Sequence, residues 1–146
     1  VITFSLGAFN AVPTNIDGVK TDWHNLSHHG KDENKIDELE IIEKEEFSLF
    51  AKFLAELKNH QENGSSLLTN TAVLFGSNLG NASSHDWRNL PIILAGGGYR
   101  HGCYVAHDPQ NNTPLSNLFV PLAQRMGVAI EQFGKSTKSS LRGLES

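Results

Sequence analysis

The chain has 146 residues, 12 Lys+Arg against 16 Asp+Glu, a formal net charge of −4, and 38% hydrophobic against 19% charged residues. That composition supports a real core, and the acidic balance argues against a nucleic-acid partner, whose phosphates call for a basic face. The single cysteine, Cys103, excludes an internal disulfide framework and a cysteine-only zinc site, and no apolar run approaches the ~20 residues of a membrane span.

Residues 1–6, Val1-Ile2-Thr3-Phe4-Ser5-Leu6, are β-branched and aromatic and read as a buried strand already under way. The only methionine is Met126 and no signal-peptide pattern is present, so a fragment or a processed product is expected. Residues 7–20, rich in Gly, Asn and Pro, read as loop. From about residue 32 to about residue 60 the apolar positions Ile36, Leu39, Phe47, Phe50, Leu54 and Leu57 recur at helical steps, with Asp32 as the N-cap. Asn63-Gly64 reads as a turn.

Residues 71–75 and 90–95 are predicted strands, closed by Gly76 and by Gly96-Gly97-Gly98, and residues 103–106 a short further strand. Thr113-Pro114 opens a last helix, with Leu115, Leu118, Phe119, Leu122 and Met126 on one face and Gly127 at its end. Residues 134–146, with Lys135, Lys138 and Arg142 among serines, read as an exposed tail. Strand, long helix, strand, strand, helix predicts an α/β fold: a layered sandwich with a mostly parallel sheet flanked by helices. The chain is read as one domain over 1–146, or as the C-terminal part of a larger one. If strands of the sheet lie elsewhere, exposed edges favour a homodimer.

In folds of that type ligands bind beyond the carboxyl ends of strands, where loops 7–30, 76–86 and 96–102 fall. The first contains Trp23-His24-Asn25-Leu26-Ser27-His28-His29-Gly30, three imidazoles within six residues. His24 and His28 are one helical turn apart and can share a metal; His85 is a candidate third ligand. His29 and Asp86 are the candidates for proton transfer or for supporting the ligands. The alternative is a set of surface histidines hydrogen-bonded without metal.

Asp22, His24 and Ser27 do not suit a hydrolase triad, because one short segment cannot align nucleophile, base and orienting acid. Gly96-Gly97-Gly98 lacks the Lys-Ser/Thr of a phosphate loop and reads as a strand-closing turn. Cys103 reads as a small buried apolar residue, and His60, His101 and His107 as solvated loop residues.

The stretch His24-Asn25-Leu26-Ser27-His28-His29 fits His-x-x-Ser-His-His and resembles the signature of the HxxSHH proteins, a bacterial exported family. The likeness continues through Val73-Leu74-Phe75-Gly76-Ser77, through His85-Asp86 and Asn89-Leu90-Pro91-Ile92-Ile93-Leu94-Ala95-Gly96-Gly97-Gly98, and into Phe133-Gly134-Lys135-Ser136-Thr137. The element order is also similar to the C-terminal half of the alkaline-phosphatase-like superfamily, which includes sulfatases. That resemblance implies a periplasmic or exported setting. It implies a divalent metal, zinc first, held by His24, His28 and His85, and a small-molecule ester or polysaccharide-type substrate. The chain departs from the superfamily at Ser77-Asn78-Leu79-Gly80, where an acid followed by His or Asn is expected; Leu79 cannot ligate. Two readings stand: a metal-dependent hydrolase of phosphate or sulfate esters, and a non-catalytic exported binding or structural domain.

Overall fold

The computed structural model describes residues 1–6, 10–141 and 143–144. Residues 7–9 of the predicted first loop, and Arg142, Glu145 and Ser146 of the predicted tail, lie outside the described residues. The chain divides into two compact units, Val1–Glu56 with Leu79–Trp87, and Leu57–Asn78 with Arg88–Ser146. No described helix is long and apolar enough to cross a membrane.

In the first unit, α1 (Trp23–Ser27) is a short helix capped by Asp22, whose carboxylate accepts the Asn25 N–H at 2.9 Å. That bond satisfies one of the donors a helix N-terminus leaves unpaired. The long α2 (Glu33–Asn59) follows, close to the span its periodicity predicts and in this unit as far as Glu56; Asp32 Oδ1 accepts the Asn34 N–H at 2.9 Å. Leu26, Val19 and Ile42 form the core here, with Ile16, Trp23 and Leu39 packed against them.

Glu38 on α2 ties down the loop before α1, accepting the backbone N–H groups of Lys20 and Thr21. Burial pushes its carboxyl upward, but these two donors, with the Thr21 hydroxyl and the Lys20 charge, together outweigh it and hold it below its ordinary 4.5. A lowered carboxyl stabilises the fold above its unfolded value, and that contribution is lost as pH falls through the folded value. Glu38→Gln is therefore expected to unfold more readily than the parent near neutral pH. Its stability also falls less steeply on acidification, read as urea midpoints across the acid range.

In the second unit, β1 (Gln61–Glu62) and β2 (Ser65–Ser66) form a minimal antiparallel hairpin. Asn63 and Gly64 turn it, with φ of 51° and 82°, the two left-handed residues that a twist-compatible hairpin turn demands. Ser66 then caps α3 (Leu67–Asn70), its Oγ accepting the Thr69 N–H at 3.2 Å. β3 (Ala72–Gly76) pairs antiparallel with β4 (Ile92–Gly96), Leu74 opposite Leu94. α4 (Ser116–Arg125) follows a tight turn at Pro114, whose carbonyl accepts the Asn117 N–H at 2.9 Å.

The predicted layered, mostly parallel sheet is corrected: among the described residues there are two two-stranded sheets, both antiparallel. Parallel strands need a crossover, usually a helix, to carry the chain back to the same end. Residues 77–91 contain no helix, and β4 runs against β3. The predicted first strand is corrected too. Residues 1–6 are not in a strand and are exposed, Val1 at 107% and Ile2 at 96%. β-branched residues suit a pleated surface, but a strand exists only with a ladder partner, and none pairs with them among the described residues. Residues 103–106 likewise form no strand, and Cys103 is exposed rather than buried.

Of the predicted tail, Gly134, Lys135 and Lys138 are exposed. Ser136 is buried, and Thr137 donates its N–H to Oδ1 of the buried Asn117 at 2.8 Å. Gly96, Gly97 and Gly98 all have positive φ, 69°, 63° and 67°. A Cβ on Gly96 would stand 2.3 Å from the Thr71 carbonyl oxygen, and one on Gly97 2.8 Å from the Ala72 Cβ. The glycine run is thus a left-handed turn in which Gly96 and Gly97 press against the 68–72 segment, leaving a side chain no room, while Gly98 faces the Arg125 side chain.

Candidate functional site

The candidate residues fall within the first unit, on α1, on the turn after it, and on the loop Leu79–Trp87. Leu26 anchors α1 in the core, fully buried, and so turns His24 and His28 outward on the opposite part of the helix. The i, i+4 spacing then does what helix geometry dictates: the two rings lie 5.0 Å apart between centroids, tilted by 43°. His28 closes the helix, its N–H donating to the His24 carbonyl at 3.3 Å. Ser27 is buried and its hydroxyl donates to the same carbonyl at 2.7 Å, so it is not available as a nucleophile in this arrangement.

His85 joins them from the loop. Its ring lies 5.0 Å from that of His28, edge to face at 76°, and the two Nε2 atoms are 3.2 Å apart. His24 and His85 are exposed, and His28 is half-buried between them. His28 is therefore the hub of a three-imidazole cluster assembled from segments 57 residues apart in sequence.

The 3.2 Å separation admits two chemical states. With one ring carrying its proton on Nε2, that N–H donates to the other ring's lone pair. With both Nε2 atoms unprotonated, each ring offers a lone pair that can ligate. Two nitrogens each about 2.05 Å from a tetrahedral zinc lie about 3.3 Å apart, close to the observed spacing. The His28–His85 spacing thus matches the length of one ligand–ligand edge at tetrahedral zinc. Among the described residues, no group of three or more His, Cys, Asp or Glu side chains is arranged to hold a metal ion. His24 would have to turn its ring to join the pair.

His29 does not join the cluster. Its Nδ1 accepts the Lys31 N–H at 3.1 Å and its carbonyl accepts the Asp32 N–H at 2.9 Å, so it shapes the turn between α1 and α2. An accepting Nδ1 leaves the neutral ring's proton on Nε2. Asp86 stands next to His85, half-buried, and its backbone pairs with Asn81 across the loop, N to O at 2.9 Å.

Asn81 and Ser83 escaped the sequence reading. Asn81 Oδ1 accepts the Ser84 N–H at 3.1 Å, and Ser83 Oγ donates to the Ser27 carbonyl at 3.3 Å. A legible signal existed for Asn81, since Asn is a turn former whose side chain can bond the backbone a few residues on. Nothing local pointed Ser83 at α1. Tyr99 and Arg125, in the second unit, carry no role in the sequence reading either. The Arg125 guanidinium lies 4.7 Å from the Tyr99 ring centroid and its Nη2 donates to the Gly98 carbonyl at 2.9 Å. Burial pushes the Tyr99 phenol up, opposed by Arg125, and the phenol donates to the Pro121 carbonyl at 3.1 Å. Both are spoken for by the packing of α4 against the glycine turn. His101 is similarly engaged, Nε2 donating to the Gly96 carbonyl at 2.9 Å.

No protein-family model, curated protein or solved structure matches this chain.

Proposed function

We propose that this chain binds a divalent metal, zinc first, through His28 and His85 with His24 as third ligand, and that the site serves hydrolysis of phosphate or sulfate esters. The observation that carries the reading is the 3.2 Å approach of two imidazole Nε2 atoms from distant segments, beside a third imidazole ring. An all-nitrogen donor set with three ligands and an open fourth position suits zinc. When bound, zinc supplies polarisation of an ester oxygen. The chain's own residues do the rest. Leu26 and the Asp22 cap hold α1 so that His24 and His28 stay on one face. His29, with its proton on Nε2, is proposed to move a proton, and Asp86, beside His85, to move one or to steady the ligands. The resemblance to exported proteins makes a periplasmic or exported ester the proposed substrate.

The second reading is a non-catalytic domain in which the imidazoles form a fixed network. It draws on the same distance, since 3.2 Å is also that of an ordinary N–H···N bond. Metal content separates the two. After incubation with zinc and dialysis, the parent chain is expected to retain near-stoichiometric zinc and the His24→Ala, His28→Ala double variant none. Turnover on a panel of phosphate and sulfate esters is expected to disappear with the metal. Retained zinc without turnover on any ester removes the hydrolase and keeps the metal; a metal-free parent chain leaves the histidine network.

A further inference from the structure

The loop Leu79–Trp87 is wound around the presentation of one side chain. Its neck is closed by the Gly80 and Asn81 N–H groups donating to the Asp86 carbonyl, at 2.8 and 3.3 Å, and by the Asp86 N–H donating to the Asn81 carbonyl. Inside the neck, the Asn81 side chain accepts the Ser84 N–H, and the Ala82 carbonyl accepts the His85 N–H at 3.2 Å. This winding puts His85 at a φ of 52°, in the left-handed region. His85 is one of four non-glycine described residues with positive φ, a region that Asn, Asp and His enter more readily than other side chains. This left-handed residue is the one whose imidazole is delivered onto another imidazole. The same loop reaches α1 a second time through Ser83, whose hydroxyl donates to the Ser27 carbonyl.

We infer that Leu79–Trp87 is a metal-locked arm: Asn81 and Ser83 are positioning residues that hold His85 over His28, and a divalent cation taken by the two imidazoles fastens the arm to α1. This rests on the proposed metal reading and goes beyond it. It assigns roles to residues that do not ligate, and it couples occupancy of the site to the order of a loop. The physical cause is linkage. An ion that binds the closed arm and not the open one suppresses opening in proportion to its occupancy. Conversely, a turn that already holds His85 in place spares the ion the cost of ordering it, so loosening the turn weakens binding without removing a ligand.

The test is amide hydrogen exchange on the full chain, with and without zinc, together with zinc titrations of three variants. Zinc is expected to slow exchange at the His85 and Asp86 amides by about tenfold or more. Asn81→Ala and Ser83→Ala are expected to weaken zinc binding by about 10–100-fold with all three imidazoles intact. His85→Asn keeps a residue tolerant of the left-handed turn but removes the ring, so zinc is expected to protect the loop no longer. If Asn81→Ala does not fold, Ser83→Ala, which deletes one exposed hydroxyl, decides the point. Zinc binding without protection of the loop overturns the arm and leaves the metal site standing. So does an affinity in the positioning variants within twofold of the parent chain. A parent chain that takes no zinc overturns both. A purely structural turn would show no zinc-dependent protection.

Discussion

His28→Ala is expected to abolish measurable zinc binding, raising Kd by more than about 100-fold, while His29→Ala leaves it within about twofold. Residues that only orient a ligand typically cost about 10–100-fold when lost, so the loss of a ligand itself exceeds that range. The contrast between neighbours follows from geometry. His28 touches both other rings, at 5.0 Å from each, so its loss leaves His24 and His85 with no common neighbour in the cluster. His29 is next in sequence, but its Nδ1 is turned to the Lys31 N–H. Isothermal titration with zinc on both variants, each checked for retained helical content, reads the difference directly. Equal losses in the two variants would mean that the motif acts through folding rather than through ligation.

Leu26→Ala is expected to destabilise the first unit by about 2–5 kcal/mol, the range for truncating a buried aliphatic side chain where the surroundings cannot collapse. Leu26 is fully buried, and the core around it is small: Val19 and Ile42, with Ile16, Trp23 and Leu39 alongside. A domain is stable by only about 5–15 kcal/mol in all, so this one truncation removes a large share. Both tryptophans of the chain, Trp23 and Trp87, lie in this unit. Urea unfolding followed by tryptophan fluorescence therefore reports on it. The expected result is a markedly lower midpoint with an unchanged slope. Because Leu26 is the buried anchor of α1, zinc affinity is expected to fall along with it.

The two substitutions probe different layers of the same site. Leu26 holds the helix from below, and His28 gathers the rings above. The metal reading requires both, since two ligands four residues apart share an ion only while the turn between them stays helical.

Much of the secondary structure was legible because it is written locally. The α2 periodicity and the Asp32 cap placed the helix close to Glu33–Asn59, and the apolar runs placed β3 and β4 within two residues of Ala72–Gly76 and Ile92–Gly96. The last helix was placed early, at Thr113-Pro114, and begins at Ser116. Its first turn is closed instead by bonds three residues apart, from Asn117 N–H to the Pro114 carbonyl and from Leu118 N–H to the Leu115 carbonyl. Proline fixes the geometry of a first turn without by itself starting the i, i+4 ladder.

Caps, helical spacing and turn residues depend on contacts a few positions apart, and these the amino-acid sequence carries by itself. Strand sense does not. Residues 1–6 have every strand-forming side chain and lack a ladder partner among the described residues, and β3 and β4 pair antiparallel although their apolar runs suit buried parallel strands. The site divides in the same way. The His24–His28 face follows from one helical turn and could be read directly. The arrival of His85 on His28 depended on a loop whose course is set by Asn81, Asp86 and a left-handed backbone. It is a contact across 57 residues, and no local pattern encodes a contact of that range.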